Sequence, residues 1–129
     1  MKRTASTINA LLAIDKPVGM TSHDVVSHVR RALHEKRVGH AGTLDPLASG
    51  VLIVGVGLAT RLLGMLTLAE KCYRATISFG VETQTDDSEG AVVRTAPVPS
   101  ELFDSAYAKR VLEELVGEHE QIPPQFSAV

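Results

Sequence analysis

The chain has 129 residues, 44% hydrophobic and 22% charged, with ten glycines and six prolines. That mix fits one domain or part of one and excludes a disordered, collagen-like or low-complexity chain. The formal net charge of -2 hides an uneven distribution. Residues 1–37 hold seven basic side chains (Lys2, Arg3, Lys16, Arg30, Arg31, Lys36, Arg37) against three acids, a balance of +4. The remainder holds six basic and twelve acidic residues, a balance of -6. The basic amino-terminal third reads as a footprint for an anionic partner or, alternatively, as an ordinary solvated surface. The longest apolar run, Val51 to Leu58, is broken by Gly55 and Gly57 and falls short of the roughly 18 residues of a membrane span. The basic tip before Leu11 lacks the apolar length of a signal peptide. Cys72 is the sole cysteine, which points to a reducing cytoplasm.

In chain order, Leu11 to Asp15 predicts a short strand, followed by a Lys16-Pro17-Val18-Gly19 turn. Thr21 or Ser22 caps a helix, with Asp24 in capping-box position relative to Thr21. Val25, Val26, Val29 and Leu33 form its apolar stripe, and the helix is expected to end before Gly39. Gly39 to Gly50, GHAGTLDPLASG, reads as neither helix nor strand. Val51 to Val56 predicts a buried strand, and Leu58 to about Leu66 a short helix. Lys71 to Phe79 alternates with period two, which predicts a strand with Tyr73, Ala75, Ile77 and Phe79 on one face. Thr83 to Gly90 is an acidic loop, Ala91 to Arg94 a returning strand, and Asp104 to Val116 a helix with Gly117 as its carboxyl cap.

The glycine-bracketed loop is the first candidate for chemistry. A structural loop needs glycines, but it has no need of His40, Thr43 and Asp45 as well. Asp45 precedes Pro46, which holds it near extended geometry and suits a projecting carboxylate. The alternative is a turn aspartate bonded to its own backbone. A triad of His40, Asp45 and Ser49 carries little weight, because no nucleophile elbow is present. His23 and His28 lie about 140° apart on a helix, so they cannot share an ion, and no metal site is expected. Gly55-Val-Gly57 after a strand has the outline of a dinucleotide fingerprint. Thr60 in the third glycine position, a short helix and an alternating second strand argue against it. Tyr73 is either a core aromatic or a ring that stacks on a base.

Taken together these segments resemble the TruB family of tRNA pseudouridine synthases. LLAIDKPVGMTSHDVV resembles its first motif, GHAGTLDPLASGVL its catalytic motif, KCYRATISFG its tyrosine-bearing strand and QIPPQFSAV the motif that follows. GVETQTDDSEG resembles its acidic loop, with Gln84 where an aspartate is usual. The resemblance implies an α/β (α+β) pseudouridine synthase fold with a mixed, mostly antiparallel sheet and flanking helices. It implies that Asp45 is the catalytic aspartate, that His40 assists base flipping and that Tyr73 stacks on the substrate. Lys16, Pro17, Gly39 and Gly42 fall in motifs that support the loop, while Arg30, Arg31, Lys36 and Arg37 are expected to meet RNA phosphate.

The implied reaction is conversion of uridine to pseudouridine in the T loop of tRNA, at position 55 of tRNA numbering. It breaks the N1–C1′ bond and joins C5 to C1′, with no redox step, so no cofactor is expected. A carboxylate serves either as nucleophile or as a proton shuttle on a glycal-like intermediate, and both routes stay open. The implied partner is the T-arm stem-loop of tRNA, with no membrane and no metal, and the complete protein is expected to be a monomer. The family's catalytic domain is about twice this length, and its catalytic arginine belongs to a later motif. Residues 1–129 are therefore expected to form a partial catalytic domain, inactive alone, without the carboxyl-terminal half or any PUA domain. Two further readings are a non-catalytic RNA-binding or RNA-chaperone module, and a relative that makes rRNA pseudouridines with a guide RNA.

Overall fold

A computed structural model describes residues 7–120. The sheet of the first unit is built from β1 (Ala10–Lys16), β2 (Val38–Ala41) and β3 (Gly50–Val56), with α1 (Ser22–Leu33) between β1 and β2 in sequence. The strand order is β1-β3-β2 and both pairings are antiparallel. β1 alternates in burial: Leu12, Ile14 and Lys16 turn inward, while Leu11, Ala13 and Asp15 turn out. On β3, Leu52, Val54 and Val56 are buried, and Val25, Val26 and Val29 of α1 close over them with Val38. The helix forms where a true capping box starts it. The Thr21 hydroxyl accepts from the Asp24 N–H at 3.0 Å, and the Asp24 carboxylate accepts from the Thr21 N–H at 2.9 Å. It ends earlier than a stop at Gly39 requires, because His34 adopts a left-handed conformation, φ 51°.

The expectation that Gly39 to Gly50 holds no strand is corrected at its start, since Val38 to Ala41 pairs with β3. Glycine has weak strand propensity, so the pattern concealed the element. Gly39 lies opposite Gly55 in the ladder, and this bare pair admits Leu63. A Cβ at either position would come within 3.0 Å of the Leu63 side chain. Leu63 opens α2 (Leu63–Thr67), which follows a 3₁₀ segment at Gly57–Leu62, so the single helix expected over Leu58 to Leu66 is split. With antiparallel neighbours on both sides of β3, the dinucleotide reading lacks the parallel βαβ frame it needs.

The described residues divide into two compact units, 7–72 and 73–120. In the second, β4 (Val81–Thr83) and β5 (Val92–Thr95) form an antiparallel pair, tied across by an Arg94–Glu82 ion pair at 2.7 Å. Asp87 organises the acidic loop between them: its carboxylate accepts from the Thr85 hydroxyl and from the Glu89 and Gly90 N–H groups. Those bonds hold the Asp87 carboxyl below the usual aspartate range, the Thr85 hydroxyl most of all. α3 (Ser105–Glu113) starts at an Asp104 cap and ends short of the Val116 expected from the sequence. The strand expected over Lys71 to Phe79 does not form: residues 71–78 lie in no ladder and are exposed. Alternation marks a strand only where a neighbouring chain takes up its N–H and C=O groups, and none does so among the described residues.

Candidate active site

The glycine-bracketed loop connects β2 to β3 along one end of the sheet. Ala41 pairs with Ile53, and Gly50 pairs with Lys16, so both roots of the loop are fixed in the ladder. Gly42 at φ 86° and Gly50 at φ 120° supply left-handed bends at its two ends. A Cβ at Gly42 would sit 3.1 Å from the end of the exposed Lys71 side chain, which can shift aside, so the positive φ is what calls for glycine there.

Asp45 projects from the middle of this loop and is exposed. Its carboxylate has no hydrogen bond or ion pair among the described residues, whereas the peptides on either side of it are held firmly. The Pro46 carbonyl accepts from the Gly19 N–H at 2.8 Å and from Lys16 Nζ at 3.5 Å. Lys16 has no exposed surface, and Nζ also donates to the carbonyls of Met20 at 2.7 Å and Pro17 at 3.1 Å. A lysine head group has three donors, and here each meets a carbonyl, which offsets the cost of burying it. On the other side, the Leu44 N–H donates to Ser22 Oγ at 2.9 Å, and that hydroxyl lies 3.2 Å from the Leu44 carbonyl. The Leu44 side chain packs against the core. Asp45 is therefore a free carboxylate on a backbone held at both adjoining residues, which suits a group that must approach a substrate atom without reorganising.

His40 sits on β2 opposite Val54, half-buried, with Nδ1 2.7 Å from the Gly42 carbonyl. That contact fixes the ring beside the loop's first bend. Tyr73 belongs to the second unit, is 64% exposed, and stands on no strand. Pro17 lies in the turn, where its carbonyl meets Lys16 Nζ, and Gly39 lies in the β2–β3 ladder.

The four basic residues behave differently from one another. Arg30 turns back on the protein, with Nη2 donating to the Val38 carbonyl at 2.9 Å and Nε buried without a partner. Arg37 donates from Nε to the Thr60 hydroxyl at 2.8 Å. Arg31 and Lys36 are exposed, and their side chains have no hydrogen bond or ion pair among the described residues.

Sequence reasoning missed Ser22 and the Gly19 N–H. Ser22 was detectable, since positions 22, 25, 26 and 29 share one helical face and Ser22 is the polar member of that apolar stripe. The Gly19 contact joins turns 27 residues apart and leaves no mark in local pattern.

Comparison with known proteins decides what this loop belongs to. Residues 30–129 match the model described as "TruB family pseudouridylate synthase (N terminal domain)". The chain belongs to the TruB family. It is 53% identical over 121 residues to tRNA pseudouridine synthase B of Thermobifida fusca, covering 94% of this chain and 41% of that protein. It is 49% identical over 122 residues to the protein of the same name from Bacillus subtilis, covering 95% of this chain and 39% of that one. The chain thus spans about two-fifths of the length of these curated TruB relatives. A solved structure, described as a Cbf5–Nop10–Gar1 complex, aligns with 92% of this chain and 30% of its own at a TM-score of 0.57 and 28% identity. The mixed α/β architecture with antiparallel strands is the fold expected of the TruB family. Among the described residues, no helix is long and apolar enough to cross a membrane.

Proposed function

We propose that this chain supplies the aspartate-bearing part of a tRNA pseudouridine synthase that isomerises uridine in the T loop, at position 55 of tRNA numbering. The observation that carries the reading is Asp45: an exposed carboxylate between two braced peptides, in a loop whose sequence resembles the family's catalytic motif. Relatives named tRNA pseudouridine synthase B at 49% and 53% identity support tRNA as the substrate.

In the proposed reaction the N1–C1′ bond breaks, the uracil turns, and C5 bonds to C1′. The C5 proton leaves and N1 gains one, so the change is an isomerisation with no net oxidation. Asp45 acts as the nucleophile on the flipped nucleotide. His40, held at the Gly42 carbonyl, fills the space the base vacates. Tyr73 stacks on the uracil, a role resting on the resemblance of its segment. The complete enzyme acts as a cytoplasmic monomer, and residues 1–129 form a partial catalytic domain that is inactive alone.

The test is Asp45→Asn in the full-length protein, read by release of the C5 hydrogen from labelled T-loop RNA. We expect turnover to fall by at least about a hundredfold, while RNA binding stays within about twofold, because the phosphate contacts remain. Turnover within about tenfold of the unmodified protein overturns the assignment of Asp45.

A further inference from the structure

Ser22 is 2% exposed and begins α1, yet its side chain is not the helix cap; Thr21 fills that role. The Ser22 hydroxyl instead faces Leu44, accepting from its N–H at 2.9 Å and lying 3.2 Å from its carbonyl oxygen. A hydroxyl is among the few small side-chain groups able to donate and accept at once. A thiol donates weakly, and alanine leaves both Leu44 groups unmet. The next residue is Asp45, and the one after it is held by Lys16 and Gly19. Removing the Lys16 side chain would empty a buried site and disturb the whole turn. Removing one hydroxyl at Ser22 frees only the amino-terminal anchor of Asp45.

We propose that Ser22 is a positioning residue for Asp45, which sets the carboxylate's approach to the nucleotide through the Leu44 peptide without touching RNA. This rests on the reading of Asp45 given above. Ser22 contributes to the rate of the chemical step and not to RNA affinity. A displacement of about 1 Å at a reacting group costs on the order of a hundredfold in rate, so a loosened Leu44 peptide has a measurable effect.

The experiment compares Ser22→Ala, Ser22→Thr and Asp45→Asn in the full-length protein. It measures the single-turnover rate of C5-hydrogen release and the Kd for a T-arm RNA hairpin. For Ser22→Ala we expect the rate to fall at least about tenfold, with Kd within about twofold of the unmodified protein. Ser22→Thr keeps the hydroxyl and is expected to recover most of the rate. A merely structural role would lower the folded fraction and would move rate and apparent affinity together. If Ser22→Ala does not fold, Ser22→Cys takes its place, since the thiol leaves no cavity and bonds weakly. A Ser22→Ala or, in its place, Ser22→Cys rate within about twofold of the unmodified protein overturns the proposal. So does a rate loss matched by an equal loss of RNA affinity. An inactive Asp45→Asn beside a fully active Ser22 variant overturns the Ser22 proposal alone. An active Asp45→Asn overturns the site reading and the Ser22 proposal with it.

Discussion

Asp24 shows how one side chain can matter through a helix end. The Thr21 hydroxyl, followed by the Thr21 N–H, holds the Asp24 carboxyl below the usual aspartate range. A carboxyl depressed on folding stabilises the folded state above its unfolded pKa of about 4. That stabilisation is lost as pH falls through the lower, folded value. Asp24→Ala is therefore expected to lower the thermal midpoint of the full-length protein at pH 7. The gap from the unmodified protein should close as both are acidified below the folded pKa. A gap that stays constant down to that pH would assign the effect to packing and not to the charged cap. Lys16 illustrates a different economy at the same scale. Its head group is buried, but its three donors end on three carbonyls, and one of those belongs to the residue after Asp45.

At the scale of elements, the β2–β3 ladder depends on what is missing from it. Gly39 and Gly55 face each other, and Leu63 of α2 fills the space that two side chains would have taken. Gly55→Ala places a methyl 3.0 Å from Leu63 Cδ2 and 3.2 Å from the Ala59 carbonyl. Such overpacking is expected to cost about 1–3 kcal/mol in denaturant unfolding. Leu63→Ala opens space at the same spot, so the double variant should be less destabilised than the sum of the two single ones. Strict additivity would mean that the two do not meet. This pairing also explains why β2 was hard to read: Gly39, which serves packing, looks in a linear pattern like a turn residue. The stripe of α1, its capping box and the short strand at β1 were legible because each is local. Lys71 to Phe79 carries an equally clear alternation and yet forms no ladder, because strand identity belongs to a pair and periodicity reports one member of it. In the site, the glycine bracket and Asp45 were legible, while the braces that join residues 22 to 44 and 19 to 46 were not.

Across the molecule, charge separates what the sequence grouped together. The four basic residues at the end of α1 form one run in the chain, but Arg30 is engaged with the Val38 carbonyl and Arg37 with Thr60. Arg31, Lys36 and Arg37 are all exposed, and among the described residues only the Arg31 and Lys36 side chains of the four make no hydrogen bond or ion pair. Replacing both with alanine in the full-length protein is expected to weaken T-arm RNA binding. The slope of log affinity against log salt should flatten by roughly 0.7–0.9 per lost contact. Arg30→Ala is expected to leave that slope nearer its original value and to lower stability instead, since its guanidinium braces β2. An unchanged slope for the Arg31 and Lys36 variant would make the whole run a solvated face.

The bracing of the glycine-bracketed loop has a consequence for how such a chain can vary. Leu44 and Pro46 are held through their peptide groups, and the partners that hold them lie in the turn and helix start at residues 16–22. The exposed side chains of Thr43 and Leu47 take no part in that restraint. Inherited changes at those two positions therefore alter the exposed surface of the loop while leaving the seat of Asp45 where it is.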